Sequence, residues 1–144
     1  MKDPIQTYFQ VGTIQWMTHP PKSYPILDSV KTICCDEYFD ALEITRIEDE
    51  ETRRAVRSLL AQSHMRVCYG AQPSLLGPGL NPNHLDEEER KKAEKVLLSA
   101  LDEAEYMGAS GIAFLAGKWE PETRDQAYEQ PVSYTHLTLP TNSR

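Results

Sequence analysis

The chain has 144 residues, enough for one modest domain whose core needs no disulfide support. Its 15 Lys and Arg stand against 22 Asp and Glu, a formal net charge of −7, which opposes long-range attraction to phosphate-rich polymers, so nucleic acid is not expected as a partner. The three cysteines, Cys34, Cys35 and Cys68, form no CxxC pair, no apolar run of signal-peptide length opens the chain, and no stretch nears the roughly 20 apolar residues of a membrane span; reduced thiols, a cytoplasmic location and no membrane partner are expected.

The β-branched and aromatic residues of Tyr8–Trp16 predict a first strand, ended by the prolines of the following THPPKS. From Ser23 the spacing changes: Ile26, Leu27, Val30, Ile33 and Cys34 share a helical face, with Ser23 as cap and Pro25 in the first turn. Phe39–Ile47 (FDALEITRI) predicts a second strand, and Glu48–His64 a charged helix with a narrow stripe of Val56, Leu59 and Leu60. Met65–Gln72 (MRVCYGAQ) predicts a third strand, after which PSLLGPGLNPN marks a long loop of the kind that often carries function. Asp86–Met107 predicts the longest helix. Asp86 and Glu89 form a variant capping box, the stripe is Ala93, Val96, Leu97, Ala100, Leu101, Ala104 and Met107, and Gly108 is the stop. Gly111–Ala116 (GIAFLA), apolar on both parities, predicts a fourth strand covered on both faces.

Glu120–Gln130 begins a further helix, with Pro121 near its start, and meets Pro131 after barely three turns. Residues 131–144 (PVSYTHLTLPTNSR) lack any acidic residue and resemble translated sequencing-adapter tails; they are expected to be non-native and unstructured, and His136 is given no role. The competing reading makes the alternating THLTL a fifth strand.

Strict alternation of strand and helix implies a parallel sheet, because parallel neighbours need crossover helices. An open doubly wound sheet that binds a nucleotide would carry a glycine-rich turn after its first strand, where this chain has QWMTHPPKS, so a (β/α)₈ TIM barrel is favoured. A complete barrel takes about 250 residues. The expected fold is therefore α/β: a partial barrel of the first four βα units, truncated, over residues 1–130.

The run NPNHLDEEERKKAEKVLLSALDEAEYMGASGIAFLAGKW resembles the segment of xylose isomerase-like barrels in which a loop asparagine precedes a long helix, a Gly-Ala turn and a strand closing on glycine. FDALEITRI likewise resembles their second strand, with a glutamate near its end. The resemblance, to the sugar phosphate isomerase/epimerase family, spans roughly Tyr8 to Gln130. It implies a metal-dependent isomerase or epimerase of a sugar or sugar phosphate. In that family a divalent metal is held by Glu, Asp, His and Glu of strands five to eight, none of which this chain contains. It further implies a fragment that binds no metal and is inactive by itself. A DNA-repair branch places metal-binding histidines at the ends of strands three and four, where this chain has Tyr69-Gly70-Ala71-Gln72 and Phe114-Leu115-Ala116-Gly117; that departure argues for sugar. The alternative from another class is a non-catalytic open-sheet binding or interaction module.

A barrel's site lies at the C-terminal ends of its strands. With Leu42 and Ile44 against the helices, Ala41, Glu43 and Thr45 turn inward, and an inward carboxylate is costly unless paired, solvated or used. Glu43 is the leading candidate, as acceptor of a substrate hydroxyl, against a structural salt bridge to a neighbouring strand. Trp16 could wall a sugar ring or pack the rim, and Gln72 could bond a sugar hydroxyl or brace its loop. His19 and Asn81 complete the candidates, weighed against an exposed histidine and a local loop brace. His84 lacks a partner at ligand spacing, and His64 is explained by the helix dipole. Unpartnered strand edges and helix faces predict self-association of a half-barrel.

Overall fold

The computed structural model describes residues 3–129, so the whole of the 131–144 segment lies outside the described residues. Four strands, β1 (Gly12–Ile14), β2 (Ala41–Ile44), β3 (Arg66–Gly70) and β4 (Ile112–Ala113), form one parallel sheet in the order β1-β2-β3-β4. The helices are α1 (Gln15–Thr18), α2 (Ile26–Cys34), α3 (Glu50–Gln62), α4 (Gln72–Leu76), α5 (Glu87–Tyr106) and α6 (Arg124–Glu129). Helices α2, α3 and α5 are the crossovers.

Every strand is shorter than its sequence pattern predicts, because a residue is strand only where a neighbour completes its ladder. Tyr8 and Phe9 are exposed and precede the first pairing, Gly12 with Ala41. At the other end Gln15 and Trp16 turn into α1 instead of continuing β1. Strand β4 pairs with β3 only through Ile112 and Ala113, and Phe114 and Leu115 beyond it are exposed, so the fourth strand is not covered on both faces. Helix α2 starts at Ile26 after Pro25 rather than at Ser23, and a short helix, α4, interrupts what the glycines and prolines suggested was all loop.

The longest helix, α5, keeps its predicted ends, while α3 spans Glu50–Gln62, inside the predicted Glu48–His64, with Asp49 as its cap. Asp49 accepts from Thr52 N at 2.7 Å above α3, and Asp86 Oδ1 accepts from Glu88 N at 2.9 Å and Glu89 N at 3.1 Å above α5, satisfying amides that the helices leave without partners. Gly108, at φ +73, adopts the left-handed conformation that ends α5, its N–H bonding Glu105 O at 3.0 Å. His64 lies beyond the end of α3 and donates through Nε2 to Phe39 O at 3.1 Å; this link to the start of β2 explains it better than the helix dipole.

The core lies on one side of the sheet. Leu42, Ile44, Val67 and Tyr69 point into it from the strands, meeting Val30 and Ile33 of α2, Val56 and Leu60 of α3, and Ala93, Leu97, Ala100 and Ala104 of α5. The opposite parity, Gly12, Ile14, Ala41, Glu43, Cys68, Gly70 and Ala113, is exposed or half-buried except at Gly70, and no described crossover helix packs on it. The pairing register keeps those residues in rows: Ile14 beside Glu43, Glu43 beside Cys68, and Gly70 beside Ala113.

Tyr69 is a polar exception inside that core, only 1% exposed. Burial, reinforced by the Glu103 carboxylate, holds its phenol above the ordinary value, while Arg46 and Arg53 pull it down. The unfolded phenol ionises near pH 10 and the folded one keeps its proton, so this stabilisation is complete below about pH 10 and is lost as pH rises toward the folded value. Tyr69→Phe should therefore lose less stability above about pH 10 than the parent, by up to roughly 1.4 kcal/mol per pH unit, in urea unfolding repeated across the alkaline range. Parallel curves would show that Tyr69 does not govern the alkaline limb.

Candidate functional site

Three of the sequence candidates meet at the C-terminal ends of β1, β2 and β3. Trp16 follows β1 by two residues on α1, Glu43 is the penultimate residue of β2, and Gln72 opens α4 two residues beyond β3. They converge on Gly70. A Cβ at that position would stand 2.5 Å from Glu43 Oε1 and 2.6 Å from Gln72 Oε1, and nearer still to the Trp16 ring. Gly70 is buried, so the glycine makes room for three larger side chains to close over the sheet.

The geometry follows from strand parity. Burial of Leu42 and Ile44 against the helices turns Glu43 to the opposite face, and burial of Val67 and Tyr69 does the same for Cys68 and Gly70. Thr45 donates through Oγ1 to Gly70 O at 2.7 Å, tying the ends of β2 and β3 together beneath the site.

Polar contacts within the group are incomplete. Gln72 Nε2 donates to Glu43 Oε1 over 3.5 Å, a long bond, and Gln72 Oε1 is buried without a hydrogen-bond partner. Such an acceptor costs on the order of 1–3 kcal/mol until something donates to it. The ion pairs between described residues, such as Lys91–Glu87, Arg54–Glu50 and the loop pair Arg46–Glu48, are exposed, and none includes Glu43. The salt bridge weighed for Glu43 is therefore absent among the described residues. The group offers a flat apolar ring and two acceptor oxygens, which suits a ligand with a C–H face and hydroxyl donors.

The other two candidates sit apart from this group. His19 is half-buried at the end of α1, its Nδ1 3.3 Å from Thr18 Oγ1 and its ring edge-on to Tyr24 at 5.1 Å. Asn81 braces its own surroundings: Oδ1 accepts from Asn83 N at 2.9 Å, and Nδ2 donates to Lys118 O at 3.0 Å. It thereby joins the loop before α5 to the segment after β4, where Gly117, at φ +99, leaves the space that the Asn81 amide fills.

Sequence reasoning passed over Gln15, Asn83 and Trp119. Gln15 is 3% exposed and donates to Ser29 Oγ at 2.7 Å, locking α1 onto α2 and so fixing the turn that presents Trp16. No signal in the sequence marks it, because the residue falls within what reads as strand. Asn83 and Trp119 line a separate cleft with His84, whose Nδ1 accepts from Asp86 N at 3.1 Å. The repeat of asparagines in NPN and the tryptophan that closes Gly117-Lys118-Trp119 were the available hints.

Among the described residues no three His, Cys, Asp or Glu side chains gather where they could hold a metal ion, and no helix is long and apolar enough to cross a membrane. No family model, curated protein or solved structure matches the chain.

Proposed function

We propose that the chain is the N-terminal half of a TIM barrel of the sugar phosphate isomerase/epimerase kind, and that Trp16, Glu43 and Gln72 form the part of its sugar site that this half contributes. The observation that carries the reading is their convergence over Gly70 at the C-terminal ends of three adjacent strands, the end where barrels hold their substrates. The sequential strand order supports it, as does a core confined to one face: a doubly wound sheet needs helices on both sides and a reversal of strand order.

On this reading Trp16 stacks on the apolar face of a sugar ring. Glu43 accepts from one hydroxyl and Gln72 Oε1 from another, which relieves the unpartnered oxygen. The proton-moving base and the divalent metal belong to strands that follow the fourth. The open face of the sheet and the outer edges of β1 and β4 are where the other half would seat, or a second copy of this chain in its absence.

The chain alone is then a weak binder without turnover. Incubated in deuterium oxide with fructose, tagatose and their phosphates, it should incorporate no deuterium beside the carbonyl beyond the blank, read by proton NMR. Incorporation that scales with protein concentration would end the half-site reading, because no residue pair described over Gly70 supplies both base and electrophile.

A further inference from the structure

Two adjacent thiols stand where α2 gives way to the turn that leads into β2: Cys34 is the last residue of the helix and Cys35 caps it. Their settings differ. Cys34 is half-buried and packs against the core cluster, with the Ser63 hydroxyl beside it at the end of α3, whereas Cys35 is exposed. Burial pushes the Cys34 thiol up, the Ser63 hydroxyl pulls it down, and Cys35 pushes it up again, so the two sulfurs are near enough for each to feel the other's charge. Cys68 lies across the sheet from α2, on the face turned away from the crossover helices, and cannot join them.

We propose that Cys34 and Cys35 form a dithiol site that captures trivalent organic arsenic. Two other uses of paired thiols fail on geometry. A disulfide between neighbours in sequence must close with Cα atoms about 3.8 Å apart, short of the roughly 4.4–6.8 Å that disulfides span. Structural zinc takes about four protein ligands. Among the described residues no three His, Cys, Asp or Glu side chains gather to supply them. An arsenic(III) atom that already carries one organic group needs only two sulfurs, and thiolates are soft ligands that favour soft acceptors. Inserted between the sulfurs, it lengthens the ring that a disulfide would strain. Successive helical side chains diverge by about 100°, which a bridging atom tolerates better than a direct S–S bond does. With an arsenoxide the exposed Cys35 attacks first and Cys34 closes the ring. Two S–H bonds and the bonding of arsenic to its oxygen break, two As–S bonds form, both protons leave with the oxygen as water, and arsenic stays trivalent. The site shares no residue with the Gly70 group and does not depend on the barrel reading.

The full chain, reduced and then freed of reductant, should take up one phenylarsine oxide, read in intact-mass spectra as the mass of the reagent less one water. The adduct should survive excess mercaptoethanol and be stripped by dimercaptopropanol, as expected when two sulfurs hold one arsenic. Cys35→Ser and Cys34→Ala should each lose the mercaptoethanol-resistant adduct, and Cys68→Ser should keep it. Cys35 is exposed, so Cys35→Ser leaves the core intact, which circular dichroism checks, and the test stands even where Cys34→Ala fails to fold. Four outcomes overturn the proposal: no uptake, removal of the arsenic by mercaptoethanol, a resistant adduct that persists in Cys35→Ser, or one that is lost in Cys68→Ser. A mass of two chains on one arsenic would place the second sulfur in another copy, and likewise overturns it.

Discussion

Gly70→Ala should abolish sugar-dependent quenching of Trp16 and lower stability by about 1–3 kcal/mol, the usual cost of forcing extra volume into a packed site. The backbone itself would accept alanine. Gly70 is not among the glycines at positive φ, which are Gly79, Gly108 and Gly117, so no conformational penalty enters. The effect is steric: the new methyl would meet Trp16, Glu43 Oε1 and Gln72 Oε1 at once, and all three must move to admit it. With Trp119→Phe in the background, the displaced indole should emit further to the red as it gains water. Gly111→Ala is the matched control, since nothing lies within 4 Å of a Cβ there, and it should change neither emission nor binding. Parental sugar affinity in Gly70→Ala would dissolve the candidate site.

Leu42→Ala should cost about 2–5 kcal/mol, whereas Cys68→Ala, one strand away on the opposite face, should cost less than about 1 kcal/mol. Leu42 is fully buried at the centre of β2 and belongs to the cluster formed with α2 and α3. Truncating it leaves a cavity that the flanking helices can only partly close. Cys68 is half-buried on the face that no described crossover helix covers, so little packing is lost with its sulfur. Total stability is typically about 0.05–0.15 kcal/mol per residue, so the first substitution removes a large share and the second very little. Urea midpoints of the two variants, compared at equal slope, decide the matter. Equal losses would mean that both faces of the sheet are packed, and the half-barrel reading would fail with that result.

Glu43 was legible for one reason: strand parity is local. Once Leu42 and Ile44 read as core, Glu43 has only one other direction to face, and Val67 with Tyr69 fixes Gly70 in the same way; Gln72 opens α4 beyond the strand, so its place over Gly70 is set by that turn and not by parity. Residue type and loop position alone mark His19 and Asn81 in the sequence, with no such constraint. Asn81 turned out to brace its loop, and His19 to pack beside Tyr24. Strand ends were the least legible feature, since GIAFLA continues its apolar pattern four residues past the start of pairing while its neighbour β3 ends at Gly70.

The sequence by itself determined the alternation of strands and helices, the cap at Asp86, the stop at Gly108 and the facing of Glu43 away from Leu42 and Ile44, because each depends on residues within a few positions of one another. Only the tertiary structure decided that Trp16, Glu43 and Gln72 share one space, that Gln15 locks α1 to Ser29, and that Asn83 and Trp119 face a common cleft. Those meetings join residues from separate βα units. Their distances are set by how the strands pair and the helices pack, which no local pattern encodes.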